Sequence, residues 1–155
     1  MLSDRTRVDG FVEFVETNES RLRHALTAAL GLEAGREAAA EALAYGWEHW
    51  EKVEAMVNPV GYLYTVGRSK GRRLLSLKLP VFPPIPEDRS PWFEPGLPAA
   101  LAGLAEKERT VVLLLYGYEW HMSEVAETLG VAKSTVQSHA ERGMRKLRHK
   151  LGVER

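Results

Sequence analysis

A chain of 155 residues with 45% hydrophobic content is long enough for one globular domain or two small ones, and too apolar to be disordered. Its 21 basic and 21 acidic residues cancel, so any affinity for nucleic acid must come from local patches rather than overall charge. Without cysteine there are no disulfides and no thiolate metal sites, which fits a reducing compartment. No apolar run approaches the roughly 20 residues needed to cross a bilayer. The segment MLSDRTRVDG has acids and no apolar core, so it does not read as a signal peptide. A soluble, cytoplasmic protein with no membrane association is expected.

From Phe11 to about Leu30 the residues Phe11, Phe14, Val15, Leu22, Leu26 and Leu30 recur at helical spacing. Gly31 and Gly35 break the pattern. Glu33 to Trp50 is rich in Ala and Glu, both strong helix formers, and ends on Trp47 and Trp50, which read as packing residues. Asn58-Pro59 then marks a helix start, with Asn as the cap and Pro at the first helical position. Tyr62, Leu63, Val66, Leu74 and Leu75 follow it. Tyr62 and Tyr64 cannot both face inward at that spacing, so at least one is expected to be exposed. Nothing reads as a strand.

Arg68 to Lys78, RSKGRRLLSLK, holds five basic residues and no acid. Beside Tyr62 and Tyr64, such a patch suits single-stranded nucleic acid, whose phosphates track charge and whose bases stack on rings. It also suits a solvated helix end that complements the helix dipole. Leu79 to Pro98 contains seven of the eight prolines, which remove backbone donors and exclude regular helix or sheet. This is a linker with a reach of roughly 60 Å at ~3.1 Å per residue. Its Val81, Phe82, Ile85, Trp92 and Phe93 predict that it packs on a domain or a partner.

Ala99 to Ala105 and Glu106 to Tyr118 are expected to form two helices, the second with the core VVLLLY. Arg109 is expected to pair with a nearby acid, and Trp120 to pack at the entry to the next helix pair. Ser123 is suited to cap a short helix carrying Val125, Ala126 and Leu129. Gly130 stands where that helix must turn through a left-handed backbone. Val136, Ala140, Met144, Leu147 and Leu151 then make one face of a longer helix. Two helices, a glycine turn and a polar, basic second helix make a helix-turn-helix.

A recognition helix sets its N-terminal residues against base edges in the major groove. Gln137 offers the paired contact adenine takes, and Lys133 can donate to guanine O6 and N7. Ser134, Thr135 and Ser138 are short enough to let the backbone approach phosphates. Arg142, Arg145 and Lys146 lie where a tilted helix meets the DNA backbone. Glu141 either accepts from a cytosine amino group or faces water. The fold class is all-α: two small helical domains, residues 1–78 and 98–155, joined by a Pro-rich linker at 79–97, the second with the helix-turn-helix. No phosphate-binding GK[ST] loop, dinucleotide fingerprint or serine-hydrolase elbow is present. His24, His49, His121, His139 and His149 lack metal-ligand spacing. Neither an enzyme nor a cofactor is expected.

The stretch LAEKERTVVLLLYGYEWHMSEVAETLGVAKSTVQSHAERGMRKLRHKL, Leu104 to Leu151, resembles the −35-binding domain of bacterial RNA polymerase sigma factors. The likeness is to the small two-domain extracytoplasmic-function type. It rests on the L-P-x-x-x-R-x-V helix, E-[IV]-A-x-x-L-G-V and T-V-x-S. A weaker likeness, Phe11 to about Lys78, covers the domain that grips the polymerase clamp and melts the −10 element. The resemblance implies core RNA polymerase and promoter DNA as partners, with an anti-sigma factor as a further one. It implies polymerase docking through Glu37, Glu41 and Trp47, and −10 contacts from the Lys52–Asn58 loop, including Asn58. Tyr62, Tyr64, Arg68, Lys70 and Arg72 would then hold the separated strand.

The departures are specific. Gly31-Leu32 replaces a usual G-D, Gly35 to Glu41 keeps only Glu37 and Glu41 of an acidic stretch, and Arg68 to Arg73 lacks an Asn and an Asp. Ala105 replaces a Pro, and Ala132 a capping Ser, which leaves Ser134 as the expected cap. TVQSH, with His139, also resembles LuxR-type regulators. That implies the alternative of a stand-alone transcription regulator that does not bind core polymerase. A third alternative is a sigma mimic that binds no DNA.

Overall fold

The computed structural model describes residues 3–75 and 96–153. The linker expected at 79–97, with Trp92 and Phe93, lies almost wholly outside the described residues. Among the described residues, eight α-helices run in the order α1 Asp4–Leu30, α2 Leu32–Glu48, α3 Trp50–Glu54, α4 Pro59–Leu75, α5 Leu97–Ala102, α6 Glu106–Val112, α7 Met122–Leu129 and α8 Lys133–Leu151. No strand occurs among the described residues, as the periodicity predicts.

Helix α1 begins where the Ser3 hydroxyl accepts from the Thr6 N–H at 3.2 Å, and ends at Gly31, whose φ of 92° stops the helix. It starts well before Phe11 because Asp4 to Gly10 are capped and polar enough to lie in solvent. Gly35 is no break: it sits inside α2, where a Cβ would meet the Thr27 Cα at 2.4 Å. Only a glycine lets the start of α2 rest on the α1 backbone. The Ala-rich run follows the same logic, since Ala38, Ala39 and Ala42 are buried between helices that lie close together. The aromatic end of α2 continues into the extra turn α3. There Trp50 is buried against Phe11 and Phe14, with ring centroids 5.4 and 5.2 Å away.

One hydrophobic cluster joins both halves of the chain. Leu22, Leu26, Leu30 and Leu63 from α1 and α4 meet Val111, Leu114, Val125 and Val136 from the C-terminal helices. A smaller cluster packs α5 on α6 and α8 through Leu101, Leu104, Val112 and Leu147. The run expected as one helix from Glu106 to Tyr118 divides in two. After Val112 it widens to a π-helical turn, Leu113–Gly117, which lets Leu114 turn inward while Tyr116 faces solvent. Trp120 is half-buried on the main cluster at the entry to α7, as expected.

Candidate nucleic-acid interface

Helix α7 starts at Met122, one residue before the cap expected at Ser123. His121 is its N-cap, and Glu124 accepts from the His121 N–H at 3.3 Å, so Ser123 lies exposed in the first turn. At Gly130 the backbone takes φ 70°, as the turn demands. The Val131 N–H returns to the Ala126 carbonyl at 3.0 Å and closes the corner. Ala132 is the N-cap of α8 and no side chain caps it; Ser134 lies within the first turn rather than at the cap. The first N–H groups of α8 therefore lack a side-chain acceptor.

Val136, Ala140, Gly143 and Leu147 are buried, which turns the opposite face of α8 to solvent. Lys133, Ser134, Gln137, Ser138, Arg142, Arg145 and Lys146 are exposed there, while Thr135 and His139 are half-buried at the flank. The Gln137 Nε2 donates to Glu141 at 3.2 Å. An Arg142 Nη2 contacts His139 Nδ1 at 2.8 Å. A guanidinium can only donate, so this nitrogen accepts and the ring is neutral. Burial, with the Arg142 and Lys107 charges, accordingly holds His139 below its ordinary pKa.

Lys146 is not free for phosphate. Its Nζ donates to both oxygens of Glu108 on α6, at 2.8 and 3.0 Å, with Arg142 at 3.9 Å from the same carboxylate. Burial pushes the Glu108 carboxyl up, but Lys146, the Ala105 N–H and the Arg142 charge outweigh it and hold the group below its usual range. Among the basic residues of α8, Lys133, Arg145, Arg148 and Lys150 make no ion pair among the described residues.

The N-terminal candidates lie elsewhere, and several meet the C-terminal helices. Asn58 accepts from the Gly61 N–H at 3.0 Å, capping α4 as expected, while its Nδ2 donates to the Glu127 carbonyl of α7 at 2.7 Å. Tyr64 is 6% exposed and Tyr62 half-buried, with its hydroxyl 3.0 Å from that of Tyr45. The expectation of an exposed tyrosine therefore fails, because helices pack on two sides of α4. Burial pushes the Tyr64 phenol up to about 12, against the pull of Arg68. Arg68 forms a short charged bond to Glu106 of α6, and Arg72 lies 3.8 Å from the other Glu106 oxygen. Lys70 is half-buried. Of the polymerase-side candidates, Glu37 is exposed, Glu41 is half-buried, and Trp47 is 39% exposed under the Arg7 guanidinium, 4.8 Å from its centroid.

Sequence reasoning missed the seam itself. Arg109 does not pair with an acid: it is buried, and its guanidinium donates to the Ala29 carbonyl at 2.7 Å and the Leu104 carbonyl at 3.3 Å. Glu106, Glu108 and Arg109 stand on one short helix and hold partners 34 to 80 residues away, a separation that leaves no local signal.

Residues 100–149 match the family model for sigma-70, region 4. The region 4 match contains α6, the π-helical turn, α7 and nearly all of α8, and so takes in the helix-turn-helix. The whole chain also has the fold of the sigma factor RpoE from Bartonella quintana, solved in complex with the anti-sigma factor NepR. The TM-score is 0.64 at 16% identity, over 94% of this chain and 99% of that one. No curated protein matches the chain. No helix among the described residues is long and apolar enough to cross a membrane.

The region 4 helix α6 supplies the acid that holds Arg68 and Arg72. Glu106→Gln should free both for a DNA strand at little cost in stability, because exposed and partly exposed pairs contribute less than about 1 kcal/mol. The log–log salt dependence of single-stranded DNA binding should steepen by roughly 0.7 for each phosphate gained. Titration at several salt concentrations reads this directly, and an unchanged slope would mean that Glu106 restrains neither arginine.

Proposed function

We propose that this protein is a sigma factor of the sigma-70 family and of the extracytoplasmic-function type, binding core RNA polymerase and directing it to promoters. The observation that carries the reading is the region 4 match laid on α8, a helix whose exposed face is polar and basic. In this reading Lys133, Ser134, Thr135, Gln137, Ser138 and Arg145 meet the −35 element, with Arg142 and His139 at its flank. Residues 1–78 form the −10 and polymerase-binding domain and 79–97 the connection to residues 98–155. Glu37, Glu41 and Trp47 face the polymerase. Asn58, Tyr62, Tyr64, Arg68, Lys70 and Arg72 serve the −10 element once the seam with α6 and α7 opens. The protein carries out no chemistry of its own and works in the cytoplasm, where polymerase and promoter are. The RpoE structure is of a complex with an anti-sigma factor, and a protein of that kind is a third proposed partner.

One such DNA module buries only about 600–1,000 Å² and binds weakly by itself, so polymerase must supply the remaining affinity. Reconstitution with core RNA polymerase on a pool of genomic promoters tests this. Co-elution with specific initiation is the expected result. Duplex binding without polymerase binding would instead favour the LuxR-like stand-alone regulator.

A further inference from the structure

Helix α8 carries one acid, Glu141, on its exposed side, and the structure shows what it holds. Glu141 sits one turn after Gln137 and accepts from the Gln137 Nε2 at 3.2 Å. A carboxylate can only accept, so the Gln137 atom turned toward it must be the nitrogen. The amide is thereby oriented. Its Oε1 and its second N–H are left for a base, which is the acceptor-and-donor pair that adenine N6 and N7 require. Glu141 makes no ion pair among the described residues, and the groove it borders, about 330 Å³, is lined by Tyr116, Met122, Met144 and Arg148.

An uncompensated carboxylate brought into the major groove of a polyanion is repelled unless it meets a donor. Guanine offers N7 and O6 and thymine offers O4, all of them acceptors. Adenine sets its N6 donor beside the N7 acceptor, which repels a carboxylate, whereas cytosine offers its N4 amino group alone, which a carboxylate takes. We infer that Glu141 is a specificity-determining residue: it presets Gln137 for adenine and itself selects cytosine at a neighbouring position of the −35-type element. Arg142 on the other flank is held by His139 and Glu108, so its charge does not neutralise Glu141 directly.

This inference rests on the reading of α8 as a promoter-binding helix. Its test uses the full chain with core RNA polymerase, transcribing a promoter pool randomised over the upstream element, with the transcripts sequenced. The wild-type protein should favour cytosine at one position by about tenfold, the scale of one good base contact. Glu141→Ala should flatten that position and loosen the adenine preference beside it. Glu141→Gln should move the cytosine preference to adenine, because an amide pairs with N6 and N7. Position 141 is exposed and Ala is a strong helix former, so both variants should melt like wild type. Selection of an element that Glu141→Ala leaves unchanged at every position would overturn the inference while the promoter reading stands. Selection of guanine at the position that responds to residue 141 would overturn it too. If wild type initiates at no promoter, the promoter reading itself fails, and the inference with it.

Discussion

Arg109→Ala should lower stability by about 2–4 kcal/mol, because it removes a buried charged donor and leaves two carbonyls without their partner. The side chain is 6% exposed, and Ala29, which takes its shorter bond, is the second-last residue of α1. That carbonyl belongs to the last turn of a helix, where no intrahelical N–H is available and the dipole is negative. A guanidinium there does for α1 what a basic residue in its own last turn would do, and α1 has none. Desolvation works against the charge and holds the Arg109 pKa below its ordinary value, with Glu106 opposing. The group stays ionised all the same, since an arginine is protonated throughout the accessible range. For a chain of this length the loss corresponds to a fall in Tm of roughly 5–15 °C. Arg109→Lys should recover only part of it, because one ammonium cannot reach two carbonyls in the geometry of the fork. Calorimetry on the three proteins decides the matter. A Tm for Arg109→Ala within about 2 °C of wild type would mean that Arg109 does not hold α6 to α1.

Gly35→Ala and Gly10→Ala should change stability in opposite directions, although both glycines lie inside helices. Helix propensity favours Ala over Gly by roughly 1 kcal/mol at either position. At Gly10 the new methyl would meet Trp50 Nε1 at 3.4 Å, an ordinary contact, so propensity should win and the protein should gain about 0.5–1 kcal/mol. At Gly35 the same methyl would stand 2.4 Å from the Thr27 Cα and 2.5 Å from its nitrogen. Those are backbone atoms that no rotamer change can move. Helices α1 and α2 would have to part, at a cost of about 3 kcal/mol or more, which exceeds the propensity gain. Denaturant unfolding of the pair reads both signs under one set of conditions. Two stabilised variants would show that α2 does not start against α1 in this way.

The glycine pair also shows how far local reasoning reaches. Gly31 and Gly35 look alike as helix breakers in the sequence, yet one ends α1 and the other permits a close crossing. Propensity and spacing describe a residue's near neighbours, whereas Thr27 becomes the neighbour of Gly35 only after α1 and α2 have packed. The caps divide in the same manner. Asn58 is legible because Asn before Pro is a strong local signal. Ser123 and Ser134 each lie two residues from the true caps, because which residue caps a helix depends on where the preceding turn closes.

Most of the helices, the absence of strand among the described residues, the helix-turn-helix around Gly130 and the polar, basic outward face of α8 were legible in the sequence alone. These come from periodicities of three to four residues and from one left-handed turn, all of them properties of contiguous chain. Which charged residues on those helices are paired within the protein depends on how the helices pack. Lys146 belongs to Glu108, Arg68 and Arg72 to Glu106, and Arg109 to the end of α1. Tyr64 is enclosed, and Gln137 is turned by Glu141. The physical reason is that a charge pairs with whatever opposite charge or open carbonyl folding brings within about 4 Å, and across 38 or 80 residues that partner is set by how the helices pack.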